Sequence, residues 1–309
     1  MLIIADIGSN WKTYGDCVAS IYEAKQAGAD VVKFQCYDHK SMYGLKGEMG
    51  YELPIDWIGK LKLVANNYKI ELACTAFCPK DLKRIDQFVD RHKIASSDMC
   101  YPQLLDAAME TNKPLIISTG GKTEKQILQV MEYVEDHDDT TFLYCSSSYP
   151  CRDHDLRKID RLRALSSGRF KVGYSDHTLD VYYAPYMAIH HHMGVVLEKH
   201  LTCIDAKTPD SGHSLNSDQF DNMTRYLRDK DDPICNFSTS ETPMVLLHNR
   251  RLVATKRIIK GDVLRYGLNY GAFRIKKDSH CNYGYVNPMD WKEVEGTKAE
   301  YDIKAGYAL

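Results

Sequence analysis

Eight short apolar runs, each ending in polar or small residues, divide the first part of this 309-residue chain. They are Leu2–Ala5, Val31–Phe34, Ile70–Ala73, Lys93–Ala95, Leu115–Ile117, Phe142–Tyr144, Phe170–Gly173 and Val195–Leu197. Helical repeats fill most of the gaps: Val18, Ile21 and Tyr22; Trp57, Leu61, Leu63 and Val64; Leu104, Leu105 and Ala108; Ile127, Val130, Met131 and Val134; Ile159, Leu162 and Leu165; Tyr183, Tyr186, Met187 and Ile189. Strands of this length alternating with helices restrict the chain to few architectures, and eight of them predict a (β/α)8 TIM barrel of the α/β class.

In such a barrel chemistry sits where the strands end. The residues at those points are Asp6, Lys33 with Gln35, Thr75, Ser96 with Asp98, Ser118, Ser147 with Tyr149, Ser175 with His177, and His200. A random scatter of surface polar groups would not return to one end of eight successive strands. The barrel domain is expected over residues 1–229, closing with a helix over Ser217–Leu227. Residues 230–246 lack apolar periodicity and read as a linker. From 247 to 309 a small, mainly β domain is expected, with strands at Leu252–Ala254, Ile258-Ile259 and Val263-Leu264, the last two flanking a turn at Lys260-Gly261-Asp262.

A net charge of −2 gives no electrostatic case for nucleic acid or an anionic membrane as a partner. The longest apolar runs fall far short of the ~18 residues that span a bilayer. The opening Met1–Asp6 has no basic stretch ahead of its apolar one, so it reads as a strand and not a signal peptide. Ten cysteines without a secretory signal read as reduced thiols, and a cytoplasmic protein is expected. None is spaced Cys-x-x-Cys, which argues against a zinc cluster.

Two stretches carry the most chemistry. Gly173-Tyr174-Ser175-Asp176-His177-Thr178 follows one strand, and Glu198-Lys199-His200 lies 23 residues later at the end of the next. Neighbouring parallel strands lie about 4.8 Å apart, which brings His177 and His200 within reach of one ion, with water and substrate completing its coordination. Imidazoles favour zinc or a transition metal over magnesium. Lys33 and Lys93, with Ser96, Ser118 and Ser175, suit a phosphate or a phosphate-plus-carboxylate ligand, because hydrogen bonds to ionised groups are the strong ones. Lys33 lies between Val32 and Phe34, where a lysine needs a reason. No Gly-x-x-x-x-Gly-Lys-Ser/Thr stretch indicates a nucleotide loop. Asp6 and Asp98 could act as acid, base or acceptor of sugar hydroxyls.

These residues resemble the sialic acid synthase family: N-acetylneuraminate synthase and its legionaminate and pseudaminate relatives. The matching stretches are Ala5–Asn10, Ala27–Gln35, Lys93–Ser96, Ser118–Gly120, Tyr149-Pro150, Gly173–Thr178 and Glu198–Thr202, with Pro209-Asp210 and Ser214 at the family's spacing. Arg250–Ala254 and Ile259–Leu264 resemble its C-terminal antifreeze-like (SAF) domain.

The resemblance implies a transferase that condenses phosphoenolpyruvate with an N-acetylated amino sugar, giving a nine-carbon 2-keto acid and phosphate. It implies a divalent metal on His177 and His200, usually Mn2+, with Mg2+ and Co2+ as alternatives. Lys33, Thr75, Lys93, Ser96, Ser118, Ser147 and Ser175 match positions that hold phosphoenolpyruvate, while Tyr149, Asp210 and Arg274 match sugar-side positions. Gln35 and Asp176, inside matched motifs, complete the expected binding set; Asp6, Asp98 and Lys33 are the expected catalytic residues. A domain-swapped homodimer, in which Arg274 acts in trans, is implied as well. Asp6 and Asp98 stand where the family usually has glutamate, and Trp11, Tyr144 and Ser147 replace two histidines and an asparagine. Those departures keep two alternatives in view: a non-catalytic sugar-binding barrel, or another phosphoenolpyruvate–aldose condensing enzyme.

Overall fold

Strands β1 (Leu2–Gly8), β2 (Val31–Cys36), β3 (Glu71–Ala76), β4 (Arg91–Ile94), β5 (Leu115–Ser118), β6 (Thr140–Cys145), β7 (Lys171–Asp176) and β8 (Val196–His200) pair in sequence order, all parallel, and close into a barrel through β8 and β1. This is a computed structural model, and it describes residues 1–37, 42–43, 50–152, 154–204, 206–228, 251–273, 288–307 and 309, without the side chains of Arg251 and Asp290. The expected eight-stranded α/β barrel is present. Helices alternate with the strands, from Tyr14–Gln26 after β1 to Ser217–Arg228 after β8.

Local signals start and stop these helices. Thr13 caps the first: its hydroxyl accepts from the Asp16 backbone N–H, and the Asp16 carboxylate accepts from the Thr13 N–H at 2.8 Å. Gly28 follows at φ +80°, a left-handed conformation that side chains resist. Thr123 and Gln126 form the same reciprocal cap on Glu124–Tyr133. The Met187–His191 stretch after β7 is a π-helical turn. The His190-His191-His192 run does not all lie on the surface there: His192 is buried, its Nδ1 2.6 Å from Asp160.

The strands run further than their apolar runs suggest. Asp6, Gln35, Thr75, Ser118, Ser175 and His200 lie inside them, as Lys33 does, so the pleat fixes which way each faces. Ile4, Val31, Ala73, Ile116, Leu143 and Val196 form one apolar cluster, on six different strands. Two residues further along the same strands stand Asp6, Lys33, Thr75, Ser118, Cys145 and Glu198, all lining one cavity. With a side-chain period of two, the apolar layer plugs the barrel and the polar layer above it faces the mouth. The alternate residues, among them Ala5, Val32, Cys74, Ile117, Tyr144, Tyr174 and Leu197, pack outward in the main core with the helices.

The chain divides into two compact units, Met1–Asp232 and Pro233–Leu309. In the second, β9 (Arg251–Ala254) pairs antiparallel with β10 (Tyr270–Phe273). Its core is Leu252, Ala254, Ile258, Leu264, Tyr270, Ala299, Ile303 and Leu309. The turn at residues 260–262 is present, with Gly261 at φ +93° and the Asp262 N–H bonded to the Ile259 carbonyl. The segments flanking it do not pair with each other; Ile258 bridges to Ile303 and Val263 to Lys298. The expected linker and Arg274 lie outside the described residues. Among the described residues no helix is long and apolar enough to cross a membrane.

Candidate active site

The mouth of the barrel encloses a cavity of about 450 Å³. Twelve residues expected from the sequence line it: Asp6, Lys33, Gln35, Thr75, Lys93, Ser96, Ser118, Ser147, Tyr149, Ser175, His177 and His200. Strand register explains their meeting. Asp6 stands opposite Lys33 on one side and His200 on the other, Thr75 opposite Gln35 and Lys93, and Ser175 opposite Cys145 and Glu198.

One half of the mouth is a buried ion-pair network. Lys33 Nζ lies 2.7 Å from Asp6 Oδ2, 3.4 Å from Thr75 Oγ1 and 3.8 Å from Glu198 Oε2. Lys93 Nζ lies 3.4 Å from Glu198 Oε1, which also accepts from the Ser175 hydroxyl at 2.8 Å. Burial alone would raise the Asp6 carboxyl; Lys33 and His200 outweigh it and hold it below the usual carboxylate range. Glu198 is treated likewise, burial opposing and Lys33 with Lys93 prevailing. For Lys33 burial works against the ammonium, but Asp6 and Glu198 hold its pKa above the ordinary lysine value. The Ser118 hydroxyl is buried without a hydrogen-bond partner.

The other half is built of imidazoles. The ring centroids of His177 and His200 are 5.8 Å apart, and those of His200 and His213 are 4.6 Å apart. Tyr149 stacks on His177 at 4.2 Å and meets His213 edge-on at 4.8 Å. His177 Nδ1 lies 2.6 Å from the Ser146 carbonyl, which can only accept, so Nδ1 carries the proton. Ser175 has one hydroxyl proton and gives it to Glu198, so the His177 Nε2 lone pair, 3.3 Å from that oxygen, has no donor. Burial and the neighbouring His200 press both His177 and His213 down to about 4, which leaves them neutral at pH 7. Neutral imidazoles with unused lone pairs suit a cation. His200, Asp210 and His213 offer ligand atoms that all lie within 4.8 Å of one another, a possible metal site.

The matching family model, the NeuB family, covers residues 20–234. The chain belongs to the NeuB family. It is 29% identical to the pseudaminic acid synthase of Campylobacter jejuni along the whole of this chain and 95% of that protein. An uncharacterized protein of Methanocaldococcus jannaschii is 32% identical over 79% of this chain and 76% of its own length. Among solved structures, an N-acetylneuraminic acid synthetase from Leptospira borgpetersenii in complex with citrate superposes with a TM-score of 0.68 at 25% identity, covering 79% of this chain and 90% of that one.

Three of the residues expected in this NeuB-family site do not line the cavity. Asp176 is on the opposite side of the pleat from Ser175, fully buried, and ion-paired to Lys199 Nζ at 2.6 Å. It faces the helices, not the ligand space. Lys199 Nζ also donates to the carbonyls of Thr178 and Asp180, at 2.6 and 3.0 Å, so the pair pins the loop that carries His177. Asp98 ends the 3-10 turn Ser96–Asp98, where its carboxylate accepts from the Ser97 hydroxyl; burial raises its pKa. Asp210 stands beside His200, outside the cavity lining.

Sequence reasoning passed over Glu198, Lys122 and His213. Glu198 and His200 are two apart on one strand and must face the same way, so the pleat could have found it. Lys122 follows Gly120-Gly121 at the rim, its Nζ 3.5 Å from the Ser97 carbonyl. His213 belongs to a loop with no period; its only signal is the Asp-x-x-His spacing from Asp210.

Proposed function

We propose that this chain condenses phosphoenolpyruvate with an N-acetylated amino sugar in a metal-dependent reaction, releasing phosphate and a nine-carbon, sialic-acid-like 2-keto acid. The observation that carries the reading is the shared mouth: two buried lysines meeting at Glu198 on one side, three clustered imidazoles on the other. The pseudaminic acid synthase relative supports the reaction class.

Lys33 and Lys93 bind the phosphate and carboxylate of phosphoenolpyruvate, the hydroxyls of Thr75, Ser96, Ser118, Ser147 and Ser175 adding donors around them. Gln35 completes this side, and Tyr149 and Asp210 face the sugar. His177 and His200 hold the divalent ion; their unused lone pairs fit it, and Mn2+ is the ion proposed, with Co2+ and Mg2+ as alternatives. When bound, such an ion supplies Lewis-acid polarisation of a carbonyl oxygen. In the overall change C3 of phosphoenolpyruvate bonds to the sugar's aldehyde carbon. Water adds at C2, and the C2–O bond to phosphate breaks. Asp6 and Glu198, both ionised, are the carboxylates on the cavity wall able to take the proton that water gives up. Holding these groups within a few tenths of an ångström matters, since a misplacement of ~1 Å can cost ~10²-fold.

The same reading assigns residues 1–229 to catalysis and 247–309 to an antifreeze-like domain that delivers Arg274 to a partner subunit in a homodimer. The test is to incubate the protein with Mn2+, phosphoenolpyruvate and a panel of N-acetylated amino sugars. Sugar-dependent phosphate release with a matching keto-acid product is expected. Phosphoenolpyruvate binding without release for any sugar would overturn the reading in favour of a sugar-binding barrel.

A further inference from the structure

We infer that His213 is a metal ligand, holding the ion together with His200 and Asp210, so that the site is completed by the loop after β8 and not by two strand-end histidines alone. The inference rests on the metal-dependent reading above and extends its ligand set, moving Asp210 from the sugar side to the ion.

Two observations carry it. The ligand atoms of the three residues all lie within 4.8 Å of one another, and an ion with bonds of about 2.1 Å would draw them to roughly 3.4 Å apart. Independently, His200 Nδ1 and His213 Nε2 are both buried with no hydrogen-bond partner. Buried polar atoms are nearly always paired, and two unpaired ring nitrogens on touching imidazoles leave a shared need that a cation meets for both.

The surroundings hold the loop in place. Asp210 Oδ2 accepts from both the N–H and the hydroxyl of Ser9, each at 2.7 Å, which leaves Oδ1 turned toward His213 Nε2 at 3.6 Å. Gly8, at φ +54°, makes this approach possible: a Cβ there would stand 2.2 Å from Asp210 Oδ2. Asn10 is fully buried and uses both ends of its amide, donating to the Leu201 carbonyl and the Ser214 hydroxyl and accepting from Thr208. A buried polar frame of this kind fixes ligand direction in metal sites.

Two imidazoles and a carboxylate, with His177 beside them, bind first-row ions in the order Mn2+ < Co2+ < Zn2+ and discriminate against Mg2+. The test strips the full-length protein with chelator, then titrates it with Co2+, following visible ligand-field absorption and affinity by chelator competition. Thermal melting of each apo protein checks folding. For His213→Gln we expect an altered band and at least about a hundredfold weaker Co2+ binding, with apo melting unchanged. The smaller His213→Ala should behave the same way if Gln perturbs packing. Wild-type band and affinity in both variants, with binding lost in His177→Ala, would overturn the role of His213 and leave the metal-dependent reading standing. No Co2+ binding by the wild-type protein would sink both.

Discussion

The two halves of the barrel mouth solve burial in opposite ways. On the side of β1, β2, β4 and β8, every charge has a counter-charge: Lys33 faces Asp6 and Glu198, and Lys93 faces Glu198. On the histidine side burial keeps His177 and His213 neutral, and ring nitrogens of His200 and His213 have no hydrogen-bond partner. The first half is stable as it stands and must give up internal ion pairs to take an anion. The second leaves ring nitrogens of His200 and His213 without a partner inside the protein. Ion pairs therefore contribute to the fold in one half, whereas unsatisfied lone pairs in the other are useful only to the site.

That contrast predicts different costs for similar substitutions. The largest belongs to the pair behind the site. Lys199→Met leaves Asp176 charged and unpaired at 0% exposure, and should cost about 3–5 kcal/mol by urea denaturation. The charge-free double variant Lys199→Met/Asp176→Leu should recover most of that loss. Metal affinity should stay weak in it, because the loop holding His177 is no longer tied down. Recovery of both properties would show that the pair serves stability alone.

Lys33→Met should cost nearly as much, about 3 kcal/mol, since it strips Asp6 and Glu198 of a shared partner. Calorimetry should find no phosphoenolpyruvate binding. A stable Lys33→Met variant that still binds it would erase the distinction between the halves. By contrast, His177→Ala and His200→Ala should each abolish metal-dependent turnover while moving stability by no more than about 1 kcal/mol, within the ordinary range for single substitutions. Large destabilisation of either would mean the histidine side is structural after all. The smallest effect is expected at Asp98, partly buried and outside the cavity lining: turnover by Asp98→Asn should fall less than about threefold. A loss near the 10²-fold typical of a general acid or base would return it to the chemistry.

The barrel could be read from the sequence because strand cores are apolar and short while helices repeat near every third or fourth residue. What could not be read was where the strands stop. Asp6, Thr75 and Ser118 lie just past the apolar runs and look like loop residues by composition, yet they are strand residues whose direction the pleat fixes. That missing register put Asp176 on the ligand side, when alternation from Ser175 turns it toward the helices. The same reasoning would have added Glu198, two residues before His200. His213 lacked even this signal, because the loop that carries it is shaped by hydrogen bonds to Ser9 and Asn10, contacts that sequence spacing does not reveal.

Those loop contacts also bear on the order of events in synthesis. Ser9 and Asp210 are 201 positions apart, and Asn10 and Ser214 are 204 apart. A ribosome must finish all eight strands before the residues around His200 can meet those following β1. A nascent chain carrying only its first seven strands has His177 but neither His200 nor Asp210, so the proposed metal site does not exist until the last strand is made. On the proposed function, metal capture would report that the ring of strands has closed.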